Sequence, residues 1–208
     1  MSNERTFAMI DLAGFTALTE AHGDEHAADA AELFSNLARK SLAAGDELVK
    51  CIGDAVLLAS PTPEAGLALV RRIHQECRGV ESFLTTRTGV HHGPAIQRGD
   101  DYFGAAVNLT ARLAAHAAGG QVLVTGLVAD CARIAGIAVV DVGTADFKNV
   151  EEPVAIYELA ISPALVEAID PVCRMRVNRG AAAGYLRRDS TEYWFCSLDC
   201  ARKFIANA

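Results

Sequence analysis

The stretch ELVKCIGDAVLLA, residues 47–59, consists of two short apolar runs separated by Ile52-Gly53-Asp54. Such runs joined through Gly-Asp are typical of a β-hairpin, because glycine and aspartate accept the backbone angles of a tight turn. The pattern predicts strands at about 47–51 and 55–59 with Asp54 near the tip. Taken alone, Asp54 is an ordinary turn residue and Lys50 is an ordinary edge-strand lysine.

A second apolar run also ends on a carboxylate. Residues Thr6 to Ile10 predict a buried strand that ends at Asp11, three residues before Gly14. Neighbouring strands lie about 5 Å apart, so carboxylates at a strand end and at a hairpin tip are well placed to share divalent cations. On its own, Asp11 is equally typical of a turn or a cap.

The remaining pattern predicts a mixed α+β fold. Apolar spacing indicates helices at about 17–44, 64–77, 104–117 and 127–135, and strands at 85–90, 122–125, 137–142 and 154–160. The order β-α-β-β-α-β matches a ferredoxin-like core, in which we expect an antiparallel sheet with helices on one face. A length of 208 residues suits one mid-sized domain with a small appendage.

Composition excludes several classes of partner. The formal net charge of −7 opposes binding to a phosphate backbone, so we expect no nucleic-acid partner. The first residues, MSNERTFAMIDLAGF, do not resemble a signal peptide, and no run approaches the roughly 18 apolar residues of a membrane span. We therefore expect a cytoplasmic protein that does not cross a membrane.

Three motifs in order, FAMIDLAGFT, VKCIGDAVLLA and DYFGAAVNLTARL, resemble the catalytic domain of the class III adenylate/guanylate cyclases. The resemblance covers about residues 5–160 and predicts a catalytic domain at 1–160. It implies that Asp11 and Asp54 hold two divalent ions, Mg²⁺ or Mn²⁺. Two such cations suit an attack of the ribose 3′-hydroxyl on the α-phosphorus, because they acidify the hydroxyl and neutralise the leaving oxygens.

The same resemblance assigns roles to five further residues. It implies that Lys50 and Asp101 contact the purine. Asn108 and Arg112 would orient the ribose and stabilise the reacting phosphate. Lys148, in DFKNVEEPVAIYEL, would hold the terminal phosphates. Arg112 is suited to this because a guanidinium presents several donors to phosphate oxygens in one plane.

The turn after Asp11 is a candidate phosphate site. Gly14 permits close approach of the backbone, and the N–H groups around Phe15 and Thr16 open a helix, where anions are favoured. For the base, Lys50 only donates and an ionised Asp101 only accepts, which complements N1 and N6 of adenine and not guanine. ATP is therefore the expected substrate.

The resemblance also implies a homodimer. In the family the site lies between two catalytic domains, with the metal aspartates from one and the base, ribose and phosphate residues from the other. This chain carries both sets, so a symmetric dimer would have two equivalent sites. The predicted activity is that of an adenylate cyclase, a lyase that converts ATP to 3′,5′-cyclic AMP and pyrophosphate.

The C-terminal segment carries three clustered cysteines. DPVCRMRV and EYWFCSLDCARKF resemble the YHS domain, a small module related to treble-clef metal sensors, over about residues 168–206. We predict a linker at 161–169 and the module at 170–208. Cys173, Cys196 and Cys200 would bind a soft or borderline ion, Zn²⁺ or Cu⁺, because clustered thiols without an export signal favour metal over disulfides. Met175, Asp199, water or a three-coordinate site remain open for the fourth position.

Two other functions compete with catalysis. The chain could be a nucleotide-binding regulatory module of weak turnover, or a metal-sensing or metal-handling protein in which the cyclase-like part is a dimeric carrier. A further hypothesis is that metal in the tail alters dimerisation or activity through the short linker.

Overall fold

The predicted hairpin forms in the computed structural model, which describes residues 3–148, 150–161 and 167–207. Its strands are β2, Glu47–Ile52, and β3, Ala55–Ser60. Strand β3 pairs with the central strand β1, Asn3–Ala13, which pairs on its other side with β4, Thr85–Arg98. The remaining strands of the large sheet are β5, Asp101–Phe103; β6, Val122–Thr125; β7, Val139–Ala145; and β8, Val154–Leu159.

The sheet confirms the predicted α+β class. Its strand order is β2-β3-β1-β4-β6-β8-β7, with β5 paired to the end of β4. All pairs are antiparallel except β4 with β6, which is parallel. Strand β4 is eight residues longer than the predicted strand at 85–90, and its extension pairs with the first residues of β1.

Five helices pack on this sheet. They are α1, Phe15–His22; α2, Asp24–Lys40; α3, Pro63–Gly79; α4, Ala105–His116; and α5, Gly126–Ile134. The prediction of one helix at 17–44 is wrong, because Gly23 divides it. Gly23 has φ 89° and ψ 169°, which no helix accommodates.

The expectation that all helices lie on one face is also wrong. Alternate residues of β1 face opposite sides: Ile10 belongs to the main core, whereas Phe7 packs in a separate cluster with Ala106 of α4. Helix α4 lies directly on β4, since a Cβ at Gly89 would come within 2.3 Å of the Ala114 nitrogen. Helix α4 therefore covers the face opposite the main core.

The C-terminal segment consists of two short hairpins and a helix. Its elements are β9, Ala168–Ile169; β10, Arg176–Val177; β11, Gly184–Arg188; β12, Thr191–Phe195; and α6, Leu198–Ala206. This arrangement agrees with the predicted small module. On β12, the Trp194 ring packs against Tyr185 with centroids 4.6 Å apart. Of the predicted linker, residues 162–166, including Pro163, lie outside the described residues, and Ala168–Ile169 pair with β10.

Arg176 joins the C-terminal segment to the part of the chain that forms the large sheet. Its side chain is 3% exposed and its guanidinium donates to the backbone oxygens of Cys77, Val80 and Phe83 at 2.8, 2.6 and 3.3 Å. These oxygens lie at the C-terminal end of α3 and in the segment that leads into β4, so one buried guanidinium fixes the C-terminal segment against this connection. Nowhere in the described ranges is a helix long and apolar enough to cross a membrane.

Candidate active site and cysteine cluster

Asp11 and Asp54 lie side by side at one edge of the sheet. Asp11 on β1 is paired in register with Ala55, and Asp54 immediately precedes Ala55 in the hairpin turn. The Leu12 N–H donates to the Asp54 backbone oxygen at 3.3 Å, which ties the turn to β1. The strand end and the hairpin tip therefore bring the two carboxylates together, as their positions in the sequence predict.

The proximity of these carboxylates changes their electrostatics. Burial raises the pKa of Asp54 to about 6, and the hydrogen bond and negative charge of Asp11 contribute further. Arg87, the cross-strand partner of Asp11 on β4, donates from Nε to Asp11 Oδ2 at 2.6 Å. Oxygen donors with excess negative charge suit a hard divalent cation. The two carboxylates thus fit Mg²⁺ or Mn²⁺.

Arg87 is a site residue that the sequence interpretation missed. The signal that could have identified it is a charged residue inside the predicted strand TTRTGV, since a charge in a partly buried strand needs a partner. Which partner it has depends on the register of β1 with β4, and this register is a property of the folded sheet.

Asp54 and Arg87 line a crevice of about 340 Å³ that continues to the glycine turn. Gly14, Phe15 and Thr16 form another wall of this crevice. Gly14 adopts φ 95°, a left-handed conformation that favours glycine, and α1 begins at Phe15. The crevice therefore combines the Asp54 carboxylate, an arginine and the N-terminal end of a helix, and Asp11 contacts both Asp54 and Arg87 from behind this lining. Together these groups suit a phosphate group held through cations.

Lys50 and Asp101 form an ion pair. The Lys50 Nζ donates to both oxygens of Asp101, at 2.9 and 2.7 Å, and lies 5.9 Å from the centre of the Phe103 ring. The hydrogen bond from Lys50 lowers the pKa of Asp101, with the Tyr102 N–H as the second cause. The two residues predicted to read the purine are therefore adjacent, with an aromatic ring beside them.

The remaining predicted site residues lie on exposed or half-buried surfaces. Asn108 is exposed and Arg112 is half-buried one turn further along α4, while Lys148 is exposed before β8. The crevice that Asp54 lines contains none of these three residues, and it contains neither Lys50 nor Asp101. Within one described chain the candidate residues thus form separate groups.

The three tail cysteines meet in one cluster with a histidine from the catalytic fold. The Cys196 sulfur lies 3.4 Å from that of Cys173 and 3.7 Å from that of Cys200. His22, the last residue of α1, has its Nε2 3.6 Å from the Cys196 sulfur and 3.5 Å from the Cys200 sulfur. All four donor atoms lie within 4.8 Å of one another.

The open fourth position is thereby occupied by a donor that was not among the alternatives. Met175 forms a backbone bridge with Leu84, and Asp199 is paired at 2.9 Å with Arg202. His22 was missed because it is 174 residues from Cys196 in sequence. A histidine at the end of a helix, before a glycine, is also common as a cap.

The sequence matches the family profile described as the adenylate and guanylate cyclase catalytic domain over residues 2–160. It is 37% identical over 119 residues to a pH-sensitive adenylate cyclase of Mycobacterium tuberculosis, covering 57% of this chain and 30% of that protein. It is 32% identical over 130 residues to an adenylate cyclase of Glutamicibacter nicotianae, covering 62% of this chain and 32% of that protein. The matched part thus spans about a third of the length of these relatives.

The fold is also similar to solved structures. A structure of adenylate cyclases from Trypanosoma brucei in their monomeric state superimposes with a TM-score of 0.69 at 23% identity. The match covers 85% of this chain and 96% of that one. At this identity the likeness supports the fold alone.

Proposed function

The chain belongs to the family of adenylate and guanylate cyclase catalytic domains, and from that membership we propose that it converts ATP to 3′,5′-cyclic AMP and pyrophosphate. The observation that carries the proposal is the pair of contacting carboxylates, Asp11 and Asp54, of which Asp54 lines a crevice shared with the Gly14 turn. Two divalent ions, Mg²⁺ or Mn²⁺, held by these carboxylates would acidify the ribose hydroxyl and offset charge on the leaving pyrophosphate.

The protein's own groups orient the nucleotide. The Gly14 turn and the first N–H groups of α1 receive phosphate oxygens, and Arg87 donates to phosphate or to Asp11. The ribose 3′-oxygen bonds to the α-phosphorus, the bond to pyrophosphate breaks and the hydroxyl proton is released. Arg112 stabilises charge on the equatorial oxygens, and Asn108 orients the ribose. Lys148 holds the terminal phosphates.

Lys50 and Asp101 would select the base. Their mutual ion pair keeps a donor and an acceptor side by side, which is the pattern that adenine N1 and N6 require. Guanine reverses that pattern, so in the same orientation neither group would find its partner atom on the base. The substrate is therefore ATP in preference to GTP, in agreement with relatives whose names specify adenylate cyclases.

The active unit would be a homodimer. Asp54 lies in the crevice, whereas Lys50, Asp101, Asn108 and Arg112 lie outside it in the described chain. A second copy related by a two-fold axis supplies the missing set to each crevice, so each dimer has two sites. Helix α4, on the face away from the main core, carries two of these residues and is a natural part of that interface.

The activity is tested with purified full-length protein, ATP and Mn²⁺, by measuring cyclic AMP. Asp54→Ala should lower the rate by at least about a thousandfold, since a two-ion site loses a shared ligand. Asp130→Ala is the matched control, because Asp130 is exposed on α5 and pairs only locally with Arg133. Equal rates for wild type and Asp54→Ala, or cyclic GMP formed faster from GTP, would contradict the proposal.

A second candidate function is metal sensing, and the four-donor cluster is the observation that favours it. We assign residues 170–208 to a YHS-type module that binds Zn²⁺ or Cu⁺ through its three cysteines. Metal retained by a protein that makes no cyclic AMP would favour this function over catalysis.

A further inference from the structure

The spacing of the four donors in the cysteine cluster fits a tetrahedral ion. Zinc bonds of about 2.3 Å to sulfur and about 2.0–2.1 Å to nitrogen place tetrahedral ligands about 3.5–3.8 Å apart. The separations of 3.7, 3.6 and 3.5 Å lie in this range, the 3.4 Å between the Cys173 and Cys196 sulfurs is 0.1 Å below it, and the other pairs lie within 4.8 Å. In the described part of the chain no other group of three or more His, Cys, Asp and Glu side chains is arranged to hold an ion.

Hydrogen bonds between two side chains and the backbone fix the cysteine-bearing turns without any ion. Asp170 is fully buried, and its carboxylate accepts from the N–H groups of Val172 and Cys173 at 2.8 and 3.3 Å and of Cys196 at 2.8 Å. Ser197 caps α6 by accepting from the Cys200 N–H at 3.1 Å. One buried carboxylate thus fixes both cysteine-bearing turns, as the supporting groups of a metal site do.

The cluster is connected to the active-site crevice through α1. His22 ends this helix and Gly14 precedes it, while Arg174 follows Cys173 directly. A Cβ at Gly14 would lie 2.4 Å from the Arg174 Cβ, so the tail rests on the glycine turn. Lys203 of α6 also donates to the Ala21 oxygen at 2.6 Å. The C-terminal segment therefore contacts both ends of the eight-residue helix.

We propose that His22 completes a four-ligand Cys₃His site for Zn²⁺, and that the bound ion clamps the C-terminal segment onto α1 and the Gly14 turn. Three thiolates and one imidazole in a closed tetrahedral shell suit zinc in a structural role, whereas a hard cation would require oxygen donors. The clamp acts by direct contact and so does not depend on the linker. Only its effect on turnover rests on the proposed cyclase function.

The ligand assignment is tested by zinc content and affinity in the full-length protein. His22→Ala should weaken zinc binding by at least about a hundredfold, because the shell loses one of four ligands. His26→Ala is the matched control: its ring centroid lies 5.2 Å from that of His22, it is exposed, and it is not one of the four donors. Should His22→Ala fold poorly, His22→Cys keeps a donor at the position and is expected to retain zinc.

Cobalt(II) provides an independent readout of the same shell. Wild type and His26→Ala should give matching spectra of a tetrahedral thiolate site, and His22→Cys a shifted one. Identical spectra and affinities in wild type and His22→Ala would overturn the assignment of His22. Wild-type protein that binds Cu⁺ and no zinc, or no metal, would overturn the assignment of the ion.

The clamp is tested by hydrogen exchange of the amides in residues 15–22, without nucleotide or magnesium. We expect faster exchange in zinc-free wild type and in His22→Ala than in zinc-bound wild type, and no change in His26→Ala. Unchanged exchange on zinc removal would overturn the clamp. Zinc binding without cyclic AMP formation would refute only the proposed function, and cyclic AMP formation without zinc binding only this inference.

Discussion

The two proposed ion-binding regions lie at opposite ends of α1, roughly 12 Å of helix apart. At its first residue, the crevice of Asp54 opens to solvent and offers a hard carboxylate that is in contact with a second one, Asp11, from the same chain. At its last residue, the cysteine cluster offers four soft donors that are within reach of one another in the same chain. The aspartate pair would leave coordination positions on its ions free for substrate, whereas the cysteine cluster would supply all four ligands of its ion.

Mixing inactive variants gives the largest expected difference between the two regions. Asp54→Ala and Arg112→Ala damage different halves of the proposed composite site, and each should reduce cyclic AMP formation by at least about a thousandfold. Mixed one to one, they should recover about a quarter of the wild-type rate, because half the dimers carry one intact site of two.

The cysteine cluster should not be restored in the same way. His22→Ala and Cys200→Ser remove ligands of one intrachain shell, so their mixture should bind no more zinc than either variant alone. Recovery of zinc binding in this mixture would contradict a closed intrachain site. Failure of the Asp54→Ala and Arg112→Ala mixture to recover cyclic AMP formation would contradict a composite site shared between two chains.

Zinc removal should lower stability more than loss of the active-site carboxylates does. With free zinc about a thousandfold above its Kd, binding contributes about 4 kcal/mol to the free energy of unfolding. Thermal melting with and without zinc measures this contribution. Asp11→Asn should keep the zinc-dependent rise in melting temperature, and Cys200→Ser should lose it. An equal melting temperature in both conditions would mean that the cluster does not stabilise the fold.

A substitution at the glycine turn tests whether the two regions are in contact. Gly14→Ala should cost about 2–3 kcal/mol, because its Cβ meets Arg174 and its φ of 95° is unfavourable for alanine. In an Arg174→Gly background, which removes the contacting atoms, the cost should fall to about 1 kcal/mol. Denaturant unfolding of the four proteins forms the cycle, and strictly additive effects would show that the contact carries no energy.

The smallest expected effect is a pH dependence that belongs to neither region. Burial lowers the pKa of His74 to about 4, with the nearby Arg78 as a second cause, and its ring bonds Thr88 at 2.9 Å. The pKa of His74 in the folded state is thus below its value in the unfolded chain, near 6.5. Its contribution to the free energy of unfolding is therefore fully present above pH 6.5 and is lost progressively as the pH falls toward 4. His74 contributes a slope of at most about 1.4 kcal/mol per pH unit, and His91, whose pKa burial also lowers to about 4, contributes in the same direction.

Urea unfolding at pH 7, 6 and 5 measures that slope. His74→Gln should reduce the slope, while replacement of the exposed His116 by glutamine should leave it unchanged. A slope as steep in His74→Gln as in wild type would assign the acid sensitivity to other groups, such as His91, and not to His74.

Local sequence predicted the parts of the molecule in which neighbours in space are neighbours in the chain. The hairpin around Gly53 was correct because alternation, turn chemistry and a few residues of spacing determine it. The strand through Asp11 was also correct in kind, but it begins at Asn3 and continues two residues past Asp11 to Ala13, where it pairs with Thr85 of β4. The pair of Cys196 and Cys200 followed from a spacing of four. These features need no knowledge of how the sheet is ordered.

Long-range placement was not predictable in the same way. His22 joins cysteines more than 150 residues away, and Arg87 meets Asp11 only through the register of two strands. The position of α4 on the second face depends on Gly89, whose missing side chain makes room for a helix. No periodicity along the chain contains that information, because tertiary packing decides it.

The position of Trp194 allows the C-terminal segment to be followed by fluorescence. It is the chain's one tryptophan, and it lies two residues before Cys196 with its ring against Tyr185. Intrinsic fluorescence excited at the indole therefore originates beside the cysteine cluster, with no background from the catalytic fold. The natural sequence carries its own optical probe of the C-terminal segment, which can be followed while nucleotide is turned over at the other end of α1.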